Sequence, residues 1–194
     1  MTATPALRTP LRSNFSRLRA RLALASILLV AVVAWFPRVA LAEGQEPKPP
    51  SVGGILKKVA LDPTTYAPAL LSYDATLRDW KTSQVFFANG FHEWNERFTV
   101  SGLPNDSPVS YSVGRQRILK DTLITLQISA LNNFATHTVE GLLVQRFPKH
   151  RRLIKTLAVI DRVVSASYMS YRLSAKHYQQ ASYNTALARS LGYR

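Results

Sequence analysis

The sequence predicts an all-α fold, a bundle of three long helices after an N-terminal leader. Three observations carry that expectation. Apolar residues recur at alternating three- and four-residue steps in three segments, the spacing that puts them on one side of an α-helix. No stretch shows the alternation of a half-buried strand, and no internal repeat or low-complexity tract is present. Prolines, glycines and an Asn-Asp pair fall between the periodic segments, where turns belong.

Residues 1–21 hold five arginines and no acid, and Leu22–Phe36 (LALASILLVAVVAWF) is an uncharged apolar run ended by Pro37 and Arg38. Small residues at Ala40 and Ala42 precede Glu43, so residues 1–42 read as a secretory signal peptide cleaved after Ala42. The alternative is an uncleaved signal anchor over residues 22–36, although a span needs about 20 apolar residues. Either way the arginines hold the N-terminus inside and place the remainder outside the cytoplasm. Residues 43–62 form the expected linker: Glu43–Gly54 is a Pro- and Gly-rich tether, and Ile55–Ala60 has room for a short helical turn as a fourth segment. The bundle domain is expected over residues 63–194.

The first long helix is expected from Pro68 to Phe98. Leu70, Tyr73, Leu77, Trp80, Phe87, Phe91, Trp94 and Phe98 form its aromatic stripe, with a kink at Asn89-Gly90. Ser101–Tyr111 (SGLPNDSPVSY) reads as a loop. The second helix runs from near Ser112 or Gly114 to Phe147, with the stripe Ile118, Ile124, Ile128, Leu131, Ala135, Thr138 and Leu142. Leu119, Leu123, Leu126, Ala130 and Phe134 widen it, so this helix is apolar around much of its circumference and is expected as the central member of the bundle. Pro148 stops it, and Lys149, His150, Arg151 and Arg152 make a basic corner suited to anionic headgroups. The third helix carries the stripe Leu153, Leu157, Ile160, Val164, Tyr168, Tyr171, Ala175 and Tyr178. Ser165, Ala166, Ser167, Ser170 and Ser174 lie between these residues and permit close helix approach.

The chain has no cysteine, which excludes disulfides, thiolate metal sites and cysteine nucleophiles. The net charge of +14 is partly the leader's. Six of the 25 basic residues precede Glu43 and all 11 acids follow Ala42, which leaves +8 on the remainder. That excess favours an anionic membrane surface or a cell-envelope protein as partner, and nucleic acid is not expected for an exported chain.

No phosphate loop, nucleophile elbow or Ser/His/Asp arrangement is recognised, so catalysis and a cofactor are not expected. The one chemical alternative is a divalent metal held by His92 and Glu96, four apart on one helical face, with His137 and Glu140 from the second helix. The residue order differs from Glu-x-x-His and His-Glu-x-x-His sites. Pairing of Glu93, Glu96, Glu140 and Asp161 with Arg78, Arg97, Arg162 or Arg172 is the simpler expectation. Asp74, Arg78, Asp79 and Lys81 read as a solvated or salt-bridged face. Asn132 and Asn133 require hydrogen-bond partners if buried, for which Tyr111, Tyr168 and Tyr171 are candidates.

The order Asp74, Trp80, Thr82, Phe87, Gly90, Glu93 and Asn95 resembles the first helix of small bacterial envelope and membrane proteins without an assigned activity. Those carry an Asp, a Thr and a Glu-x-Asn-Pro element before two further helices, and Glu96 stands here in place of the proline. The resemblance implies architecture and envelope location. The leading expectation is an exported structural or interaction module. A metal-dependent hydrolytic bundle is one alternative, and a multi-pass protein with its second and third helices inserted is the other.

Overall fold

The computed structural model describes residues 51–193, so the expected leader, its cleavage site at Ala40, Ala42 and Glu43, and most of the tether lie outside the described residues. The described chain is all-α. Four helices are present: α1 (Val52–Leu61), α2 (Pro63–Ala88), α3 (Tyr111–Arg146) and α4 (Arg151–Ser190). Short 3-10 turns lie at Glu96–Phe98 and Pro148–His150. The expected short turn is thus a ten-residue helix that takes in the Val52–Gly54 end of the tether, and its Ile55 and Val59 are buried.

Asp62 separates α1 from α2 and caps the latter, accepting from the Thr64 backbone N–H at 2.9 Å. Pro63 occupies the first turn, where its missing N–H is no loss. Pro68 lies one turn further in, fully buried. Its ring leaves the Thr64 carbonyl without an intrahelical donor, and the Ser129 hydroxyl donates to that carbonyl from α3 at 3.2 Å.

The helix expected to reach Phe98 stops at Ala88. Asn89-Gly90 is its terminator rather than a kink. Gly90 adopts φ +82°, the left-handed conformation that ends helices at low steric cost. Its N–H donates to Phe87 O at 3.1 Å, and Phe91 N–H donates to Phe86 O at 3.1 Å. The Phe86 and Phe91 rings meet edge to face, 5.7 Å apart, which is the apolar contact that accompanies this motif. α4 ends in the same way at Gly192, and its Tyr193 ring joins the pair, 6.1 Å from Phe86.

Residues 89–110 therefore form a long connection folded back on itself. Glu93 and Asp106 exchange backbone hydrogen bonds of 2.9 and 3.1 Å, and Val109 N–H donates to Phe98 O at 2.8 Å. Arg97 pairs with Asp121, and Arg117 donates to the Arg97 carbonyl, which fastens the connection to α3. Phe98 and Val109 are thereby driven into a cluster with Trp80 and Ile118, against which Tyr73, Leu77 and Phe87 pack. Five of the eight stripe residues thus lie in or against this core. Leu70, Phe91 and Trp94, by contrast, are exposed. Trp80 lies directly over Gly114, where any Cβ would overlap the indole, so α2 and α3 cross at a residue without a side chain.

Most large apolar residues of the expected α3 and α4 stripes point outward, Ile118 being the buried exception. Ile124, Ile128, Leu131 and Leu142 on α3 are exposed, as are Leu153, Leu157, Ile160, Val164, Tyr168 and Tyr171 on α4. What α3 buries, besides Gly114 and Ile118, is Ser129, Asn133, His137 and Glu140. What α4 buries is a row at every fourth residue, Ala158, Arg162, Ala166, Ser170 and Ser174, continued by Ala181 and Asn184. Small side chains let the helix axes approach closely, and the polar ones then find partners across the interface. The periodicity was legible, but its sense was inverted.

Candidate functional site

Two constellations stand out, one at each end of α2. At its N-terminal end lies a buried charge cluster. Arg162 of α4 reaches Asp62 Oδ2 through Nε and Glu140 Oε2 through Nη1, each at 2.9 Å. His137, one turn before Glu140, has Nε2 3.4 Å from Asp62 Oδ2 and Nδ1 3.4 Å from Glu140 Oε2. Neither ring nitrogen makes a hydrogen bond of good geometry.

Burial, and next the Arg162 charge, push the His137 imidazole below its ordinary value of 6.5, against the opposing pull of Glu140 and Asp62. Burial alone would raise the Asp62 carboxyl. The Thr64 side-chain and backbone hydrogen bonds outweigh it together with Arg162 and His137, and hold Asp62 below the usual range. Beside this cluster Asn133 donates to the Thr64 and Thr65 hydroxyls at 2.8 Å each. The partners of the buried amide are therefore threonines of the α2 N-terminus, not the tyrosines expected.

At the C-terminal end of α2 lies a cavity of about 460 Å³ between α2, the 89–110 connection and the last turns of α4. Trp80, Phe86, Phe91, Trp94, Phe98 and Tyr183 supply most of its wall, and Asp79, Glu93, His177 and Asn184 its polar groups. His177 Nδ1 lies 2.7 Å from Asp79 Oδ2. Glu93 accepts the Asn95 N–H at 2.7 Å, and no basic side chain pairs with it among the described residues. Burial raises the Glu93 carboxyl above its ordinary value, more than the Asn95 and Trp94 N–H groups lower it.

The face expected to be solvated or salt-bridged carries the Asp74–Arg78 salt bridge and reaches further. Arg78 does pair with Asp74, but Asp74 also accepts from Tyr178 Oη at 2.8 Å, and Asp79 turns to His177. Both acids thus join α2 to α4.

These positions separate the four metal-ligand candidates. His92 and Glu96 are not on one helical face: His92 is in the connection and lines the cavity, and Glu96, itself exposed, opens the Glu96–Phe98 3-10 turn. His137 and Glu140 are adjacent, but at the opposite end of α2, whose 26 residues span about 39 Å at 1.5 Å per residue. Among the described residues no three His, Asp or Glu side chains are grouped so as to hold a metal ion. Of the pairings expected, Glu140 takes Arg162, Asp161 accepts from Thr136 at 3.3 Å, and Arg97 takes Asp121 rather than a glutamate. Lys149, His150, Arg151 and Arg152 all lie exposed at the α3–α4 corner.

Sequence reasoning missed Asp62 and His177 as site residues. Asp62-Pro63-Thr64 carries the helix-cap signal that marks the first, whereas nothing local links His177 to Asp79, 98 residues away. No protein-family model matches the chain, and no curated protein or solved structure matches it at a significant level.

Proposed function

We propose that this chain is an exported structural or interaction module of the cell envelope that lies on a membrane. The outer face of α3 and α4 enters the acyl-chain region, and the Lys149–Arg152 corner rests on anionic headgroups. The observation that carries this reading is that α3 and α4 bury mainly small and polar side chains, many of them against α2, while Leu131, Leu153, Leu157 and Val164 are each more than half exposed. Helices packed through small residues, with large aliphatic ones outside, suit lipid surroundings. Covering each such side chain gains about 1.5–3 kcal/mol.

No helix among the described residues is long and apolar enough to cross a membrane, so the proposal is for a bundle seated in the interface plane. Lysine and arginine at the corner have stems long enough to keep their charges at headgroup level while the apolar stripes sink deeper.

The absence of cysteine makes the test clean. Single-cysteine variants of the full chain, Leu131→Cys and Val164→Cys, carry a nitroxide label, with Lys81→Cys as the water-facing control. In vesicles containing phosphatidylglycerol, the first two labels are expected to be reached by oxygen and shielded from a water-soluble nickel chelate, and the control to show the opposite. Equal nickel access at all three positions would refute the reading even if the leader anchors the chain. Spin–spin broadening at Leu131 without lipid would refute it in favour of contact between two copies.

A further inference from the structure

The aromatic cavity carries an inference separate from the membrane reading. Its volume of about 460 Å³ falls within the range of about 300–1,000 Å³ typical of small-molecule sites. Two features of its lining constrain what fits. Seven aromatic residues contribute to it, Phe87 among them, and aromatic faces attract cations through the ring quadrupole. The lining also holds the Glu93 carboxylate, half-buried and without a basic partner; of the two histidines on the wall, His177 is engaged with Asp79 and His92 is exposed. An anion would meet Glu93 and Asp79 together. A neutral apolar ligand would remove water from Glu93 and return nothing to it. An organic cation satisfies both the rings and the carboxylate.

The rim is built to receive something. Phe91 is 47% exposed and Trp94 65% exposed, large rings left uncovered at the cavity mouth. Their backbone is held firmly: Phe91 by the helix-terminating hydrogen bond to Phe86, and the start of the Trp94 segment by the paired hydrogen bonds of Glu93 with Asp106. A fixed aromatic mouth loses little conformational entropy on binding.

We propose that this cavity binds a small organic ammonium ion, its charge met by the Glu93 carboxylate and its alkyl groups packed on Phe91 and Trp94. The ammonium can be a free metabolite or the headgroup of a choline lipid, which share the chemistry recognised here.

The experiment uses the full chain in a maltoside detergent and pairs choline with 3,3-dimethylbutan-1-ol, its neutral isostere, by titration calorimetry. Choline is expected to bind saturably, and the isostere at least about tenfold more weakly, as befits a site that reads charge. Glu93→Gln should weaken choline about tenfold and leave the isostere unchanged, while Trp94→Phe retains binding and Trp94→Ala loses it. Unchanged far-UV circular dichroism confirms that each variant is folded. Equal binding of the two probes, indifference to Glu93→Gln, or no saturable choline binding up to about 10 mM would each overturn the proposal. In discs of phosphatidylcholine against phosphatidylglycerol, choline binding lost only in the former identifies the lipid headgroup as the source. Binding retained in both identifies a free ammonium.

Discussion

Replacing Arg162 by methionine removes the only arginine of the buried cluster while keeping most of the side-chain volume. The guanidinium is 8% exposed and bridges Asp62 and Glu140 at 2.9 Å each, so its loss leaves two buried carboxylates facing one neutral imidazole. Removing one partner of a buried ion pair typically costs about 3–5 kcal/mol. For a domain of this size that corresponds to a melting temperature lower by roughly 10 °C.

The pH dependence makes the prediction sharper. In the native protein His137 sits below its ordinary 6.5, chiefly by burial and then by Arg162. Its contribution is therefore present above pH 6.5 and is lost as pH falls toward the folded value. With Arg162 gone, its repulsion disappears, and two carboxylates 3.4 Å from the ring nitrogens favour the imidazolium. The folded value then moves up from its native position while burial still holds it down, so less stability is lost as pH falls. Urea denaturation followed by circular dichroism, at about pH 5 and about pH 8, should show the wild type gaining from the shift to higher pH and Arg162→Met gaining less. A variant within about 1 kcal/mol of wild type at the higher pH, or one with the same slope, would refute the account of the cluster.

Three further outcomes follow from particular contacts. Gly114→Ala drives a methyl group into the Trp80 indole and is expected to lower stability by about 1–3 kcal/mol, with an altered near-ultraviolet tryptophan signal; an unchanged urea midpoint would contradict the close crossing. Ser129→Ala should cost about 1–3 kcal/mol, because Pro68 cannot satisfy the Thr64 carbonyl that Ser129 serves. In a Pro68→Ala background the restored N–H takes over, so a double-mutant cycle should show strong non-additivity, and simple addition would dismiss the idea. Gly90→Ala meets no atom within 4 Å, so its cost is conformational alone. It is expected at about 1 kcal/mol, with Gly90→Asn milder, and the order of the two midpoints checks it.

The sequence by itself determined the all-α class, the three long helices, the Ser101–Tyr111 loop to within one residue and the exposed basic corner. These follow from local spacing, proline and glycine chemistry and charge, and no distant residue is needed to read them. Asn89-Gly90 was legible too, as a terminator, but the aromatic stripe continuing to Phe98 masked it. Those later rings belong to a connection that folds back on α2 and builds the cavity. Only the tertiary structure decided which side of α3 and α4 faces inward. A three-four periodicity marks a stripe without saying what covers it, and Ala158, Arg162, Ala166, Ser170 and Ser174 repeat as regularly as the aliphatic residues opposite them. The same holds for the polar partners. Asn133 meets Thr64 and Thr65, and Arg162 meets Asp62 and Glu140, only because helices far apart in sequence pack side by side. A buried polar group needs a partner, and which residue supplies it is settled by packing rather than by neighbours along the chain.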